Sequence, residues 1–168
     1  MLFLEADFAT FKKTKGKTKM QKCANENNRQ RLLVVEDDPN IRRLNTEILI
    51  YSGYQVDAAE NGLAAWYALQ LNHYDLMITD NNMPKLTGVQ LLQKMHASGV
   101  EMPVIMATGA LPSLEFSNDL LQTTLILKPY SYDELLKTVK NVLSVNRHGT
   151  ATPPPDWRGD AVPLRVAA

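Results

Sequence analysis

Between residues 31 and 146 the chain alternates short apolar runs with longer stretches in which apolar residues recur every three or four positions. The runs are Leu32–Val35, Tyr54–Ala58, Leu76–Thr79, Val104–Ala107 and Thr124–Leu127, each of strand length and bounded by polar or turn-forming residues. Four are almost continuously apolar, which predicts strands buried on both faces; Tyr54-Gln55-Val56-Asp57-Ala58 alternates, which predicts a sheet edge. Asp38 and Pro39 cap and open a helix over about 39–52, with the stripe Ile41, Leu44, Ile48 and Tyr51, and Gly53 stops it. Asn61 and Thr87 are placed to cap a second and a third helix. Ser131 and Glu134 have capping-box spacing ahead of the stripe Leu135, Val139 and Val142. The segment Leu111–Leu121, read as the fourth of five helices, has the weakest pattern. Five strands alternating with helices predict an α/β fold around a doubly wound parallel sheet.

Outside this unit the pattern lapses. Lys12 to Arg29 is rich in Lys, Thr, Asn and Gln without a sustained apolar period, so residues 1–30 are expected to be a disordered basic tail. Thr152-Pro153-Pro154-Pro155 reads as a stiff linker in a second tail, 147–168, too short for another domain. Output is therefore expected through protein contact. The formal net charge of zero hides an acidic centre: residues 31–146 carry eight Lys or Arg against thirteen acids, and residues 1–30 carry seven against three. That argues against a nucleic-acid-binding core, leaving only a lysine-rich arm as a competing DNA-binding reading. The single cysteine, Cys23, has no disulfide partner, and no apolar run approaches the roughly 18 residues of a membrane span, so a cytoplasmic protein is expected.

In an open parallel sheet, functional groups gather at the carboxyl ends of the strands. Here those ends lead into Glu36-Asp37-Asp38, Asp80, Thr108 and Lys128. Several carboxylates at one rim repel one another unless a hard cation sits among them, and Mg²⁺ prefers oxygen ligands while keeping waters that a phosphate can replace. Thr108 can donate a hydrogen bond to a phosphoryl oxygen and Lys128 offers a point charge to another. Asp38, directly before Pro39, is read as a helix cap alone. Taken singly, Asp80 is ordinary turn chemistry, Thr108 a strand exit and Lys128 a solvated lysine; their joint arrival at one rim carries the functional reading. His73, His96 and His148 have no metal spacing, and Trp66 and Tyr67 are read as packing.

The strings Leu33-Val34-Val35-Glu36-Asp37-Asp38-Pro39, Asp75-Leu76-Met77-Ile78-Thr79-Asp80, Met83-Pro84 with Gly88, Thr108, and Lys128-Pro129 resemble the receiver domains of two-component response regulators, most closely the single-domain, chemotaxis type. The resemblance covers about 31–146. It implies a flavodoxin-like fold, five strands in the order 2-1-3-4-5 with five helices. It also implies that Glu36 and Asp37 hold Mg²⁺, that Asp80 is phosphoacceptor and metal ligand, and that Asn82 lends its backbone carbonyl. Thr108 and Lys128 would sense the phosphoryl group. Such a domain is a regulator that catalyses only its own phosphorylation and dephosphorylation. It takes the phosphoryl group from a sensor histidine kinase or phosphotransfer protein and signals to a downstream protein through the face of helix 4, strand 5 and helix 5. An aspartate-nucleophile phosphatase is the competing enzyme class, but such enzymes carry paired acids after strand 1, whereas the candidate nucleophile here follows strand 3. One departure from the family is Leu125, where many receivers have an aromatic three positions before the lysine. The response is therefore expected mainly in the backbone after Thr108, where Gly109 lets the loop reorient.

Overall fold

The computed structural model describes residues 29–109 and 123–146. The expected fourth helix over 111–121, most of the basic tail and the whole C-terminal tail lie outside them. The described elements are β1 (Arg31–Val35), α1 (Pro39–Tyr51), β2 (Gln55–Ala59), α2 (Gly62–Leu71), β3 (Leu76–Asp80), α3 (Gly88–Ala97), β4 (Val104–Thr108), β5 (Thr123–Leu127) and α4 (Tyr132–Asn146). All strand pairs are parallel, in the order β2-β1-β3-β4-β5.

Alternate residues of each strand feed two cores. Leu32, Val34, Leu76, Ile78, Ile105 and Ala107 pack with Ile48 and Leu49 of α1 and Leu135 and Val139 of α4. Leu33, Val35, Met77, Val104 and Met106 meet Ala65 and Leu69 of α2 and Leu91, Leu92 and Met95 of α3. Helices thus cover both faces, which is why β3 and β4 are buried throughout. β2 lies at an edge as its alternation predicts. β5 corrects the expectation of four strands buried on both faces: it is the opposite edge, and Leu127 is 53% exposed. The Tyr67 expectation also fails. Trp66 packs against the second core with the Lys94 ammonium 4.7 Å from its ring centroid, but Tyr67 points to solvent.

Local chemistry sets the helix entries. The Asp38 side chain accepts from the N–H groups of Asn40 and Ile41 at 2.8 and 3.1 Å, and these bonds lower its pKa. Asn61 caps α2 through the Ala64 N–H, and Thr87 and Gln90 form a reciprocal capping box on α3. Past α1, Gly53 has φ +99°, the left-handed conformation that ends helices. Gly88 answers a different demand. A Cβ there would overlap the Asp80 carbonyl oxygen, so only glycine lets α3 start directly against the end of β3.

Candidate functional site

Glu36 follows β1 directly and is buried, while Asp37 beside it is exposed. Asp80 and Thr108 are the last residues of β3 and β4, each strand running one residue beyond the end read from sequence, and both are buried. Lys128 follows β5, its N–H donating to the Thr108 carbonyl at 2.9 Å. β1, β3, β4 and β5 are successive neighbours, so parallel pairing delivers all these groups to one rim.

Carboxylate oxygens of Glu36, Asp37 and Asp80 lie within 4.8 Å of one another. The Lys128 ammonium donates to Asp80 Oδ2 at 2.8 Å and to Glu36 Oε2 at 3.1 Å, joining residues 48 and 92 positions away in the chain. Burial pushes the Glu36 pKa up; the Lys128 charge opposes this and the Asp80 carboxylate adds to it. For Lys128, burial favours the neutral amine, but its bond to Asp80 and the charges of Glu36 and Asp80 prevail, and its pKa is raised. One ammonium among three carboxylates leaves the rim anionic. A donor set made only of carboxylate oxygens fits a hard divalent cation, and the position already taken by the Lys128 charge shows how strongly this rim attracts positive charge.

The loop after β3 is held from several sides. The Asn82 N–H donates to Asp80 Oδ1 at 3.2 Å, so the structure brings Asn82 against the candidate phosphoacceptor through its amide. Asn81 donates its N–H to Ala107 O and accepts on its side chain from the Val89 N–H, locking the loop between β4 and α3. Thr79 Oγ1 donates to the Asp80 carbonyl at 2.8 Å.

Two supports were not read from sequence. Arg42, one turn into α1, reaches back so that Nη1 donates to the carbonyls of Glu36 at 2.6 Å and Asp37 at 3.1 Å. Its only sequence signal is an arginine at the start of the helix that follows the acid pair. The other is Tyr130, half-buried against the first core, whose hydroxyl accepts from Asn45 Nδ2 at 3.2 Å across 85 positions of chain. No spacing rule would find it. Of the histidines, His96 lies in the last turn of α3 and His73 is exposed, neither near the rim.

The model of the response regulator receiver domain family matches residues 32–140. The chain belongs to this family. It is a signalling switch domain of two-component systems, of the kind phosphorylated on an aspartate. Among relatives, the Escherichia coli transcriptional regulatory protein PcoR is 33% identical over 129 residues, which cover 73% of this chain and 55% of PcoR. Sporulation initiation phosphotransferase F of Bacillus subtilis is 32% identical over 116 residues, 68% of this chain and 94% of that protein. The chain thus spans about half of the transcriptional regulatory relative but nearly all of the phosphotransferase. Among solved structures, the response regulator protein TrrA of Thermotoga maritima, in complex with Mg²⁺ and BeF, superposes with a TM-score of 0.60 at 33% identity, covering 67% of this receiver chain and 98% of TrrA. No described helix of the receiver is long and apolar enough to cross a membrane.

Proposed function

We propose that this receiver accepts a phosphoryl group on Asp80 from a phosphohistidine of a sensor histidine kinase or phosphotransfer protein. Glu36, Asp37, Asp80 and the Asn82 backbone carbonyl would hold Mg²⁺. When bound, that ion supplies positive charge against the phosphoryl oxygens and relieves repulsion among the carboxylates. The observation that carries the reading is the Lys128 ammonium spanning Asp80 and Glu36 beside a third carboxylate, all at one rim.

The chain's own part is positioning and electrostatics. An Asp80 carboxylate oxygen attacks phosphorus; the O–P bond forms as the P–N bond to the donor imidazole breaks, and the imidazole leaves with the bond's electron pair and takes up a proton. Lys128 shifts from carboxylate toward phosphoryl oxygen as charge moves onto the transferred group, and Thr108 donates to a second oxygen. Water hydrolyses the acyl phosphate later. Phosphorylated and empty sites thus differ in their contacts to Thr108 and Lys128, the differential interaction a two-state switch requires.

The working unit is 31–146, with 1–30 and 147–168 as tails, and the domain acts in the cytoplasm. A downstream protein reads the face of β5, α4 and the segment between β4 and β5. Exposed Leu127 on β5 and Val145 on α4 support that choice. The test is Asp80→Asn, a near-isosteric change. It should abolish label incorporation from a small phosphodonor with Mg²⁺ while leaving the circular dichroism spectrum unchanged. Full incorporation by the mutant would overturn the assignment.

A further inference from the structure

The α2 sequence Gly62-Leu63-Ala64-Ala65-Trp66-Tyr67-Ala68-Leu69-Gln70-Leu71 contains no charged residue. A helix apolar all round is normally enclosed. Among the described residues only one side of α2 is covered: Ala65 and Leu69 enter the core, while Leu63, Tyr67 and Leu71 are 38%, 61% and 79% exposed. Those three lie at i, i+4 and i+8, a continuous stripe along the solvent side. It belongs to neither the carboxylate rim nor the β5–α4 face.

We propose that this stripe is a docking surface for the chain's own N-terminal segment, residues 1–11, Met1-Leu2-Phe3-Leu4-Glu5-Ala6-Asp7-Phe8-Ala9-Thr10-Phe11. Met1, Leu4, Phe8 and Phe11 are spaced three, four and three apart, the period that presents one face of a helix to an apolar partner stripe. Glu5 and Asp7 flank that face on either side, and Thr10 lies opposite it with Ala6, Leu2 and Phe3.

Topology brings the segment within reach. The described structure begins two residues before β1, at Arg29, and the carbonyl of Arg31, the first residue of β1, accepts from the Asp75 N–H at 2.8 Å. Leu71 ends α2 just before that point, so the tail and the exposed end of the stripe share one end of the sheet. The 19 residues from Lys12 to Gln30 span about 24 Å as a flexible chain, and the stripe is about 15 Å long. Size selects the tail over a second copy of the protein. A stable dimer needs about 800 Å² from each partner, more than three partly covered side chains present, whereas a tethered segment binds at an effective concentration of order millimolar and needs no such area.

The test places a nitroxide on Ala6→Cys in the full chain carrying Cys23→Ser, the label sitting on the side of the segment away from the contact. Amide signals of Gly62–Leu71 should lose most of their intensity relative to those of Pro39–Tyr51. They should recover in the Tyr67→Ser/Leu71→Ser variant, whose changes are on the surface and outside the phosphorylation site, and in Phe8→Ser. Equal attenuation of α1 and α2 overturns the proposal. So does attenuation that survives the double variant. Attenuation transferred to isotope-labelled, untagged protein mixed with tagged protein overturns it as well, and assigns the stripe to a second copy.

Discussion

Replacing Lys128 by Met removes the charge that Glu36 and Asp80 face while keeping the length of the apolar stem. Their side chains are 4% and 11% exposed, so the two carboxylates are left with little water to compensate. Removing one partner of a buried ion pair costs about 3–5 kcal/mol. Lys128 itself is 26% exposed, and water entering the rim brings the expected loss to the lower end, about 3 kcal/mol near neutral pH, or a drop in Tm of roughly 10 °C. The pH dependence is the sharper part. Folded Glu36 holds its proton more tightly than unfolded Glu36, so its contribution favours the fold fully below its ordinary pKa of 4.5 and is lost as pH rises through the raised folded value. Lys128 also has a raised folded pKa, so its contribution is complete below 10.5 and lost above it. Deleting Lys128 takes away the charge and the hydrogen bond that restrain Glu36, so the folded pKa of Glu36 climbs further. The gap between wild type and Lys128→Met should therefore be wide near neutrality and narrow as pH falls toward 4.5, where a protonated Glu36 no longer needs a counter-charge. Urea unfolding in EDTA across this range measures the gap, and Glu36→Gln combined with Lys128→Met should be less destabilised than Lys128→Met alone. A gap that stays constant with pH, or a double mutant showing the sum of the single losses, would refute the reasoning.

Gly88→Ala should destabilise by about 1–3 kcal/mol, because the new methyl meets the Asp80 carbonyl and α3 must move; it should also slow phosphorylation, and unchanged urea midpoint and rate would contradict the close approach. Arg42→Ala should weaken Mg²⁺ binding by roughly 10-fold, as measured for supporting residues around metal sites, since the guanidinium braces the carbonyls of Glu36 and Asp37; titration followed by NMR decides it. Millimolar Mg²⁺ should raise Tm by relieving repulsion in the carboxylate cluster, and the rise should vanish in EDTA and shrink in Asp80→Asn.

The residues of the rim were legible before any coordinates. A strand buried between helices on both faces must be an apolar run, and in a parallel sheet every run ends on the same side, so Glu36, Asp80, Thr108 and Lys128 announced themselves by following such runs. Caps were legible for the same local reason: Asp38, Asn61 and Thr87 bond amides only two or three residues away. Contacts between distant parts of the chain were not. That the Lys128 ammonium spans Asp80 and Glu36, that Asn45 reaches the Tyr130 hydroxyl, and that Arg42 folds back onto two carbonyls depend on where helices settle against the sheet. The β5 run reads as fully buried because composition records how apolar a strand is, while its place at the edge decides what covers it. Likewise α2 is apolar on every side, so no periodicity marks its inner face; packing against β1, β2 and α3 buried Ala65 and Leu69 and left Tyr67 and Leu71 in water. Local chemistry and alternation are written along the chain, but burial is a property of neighbours, and neighbours exist only once the layers have been brought together.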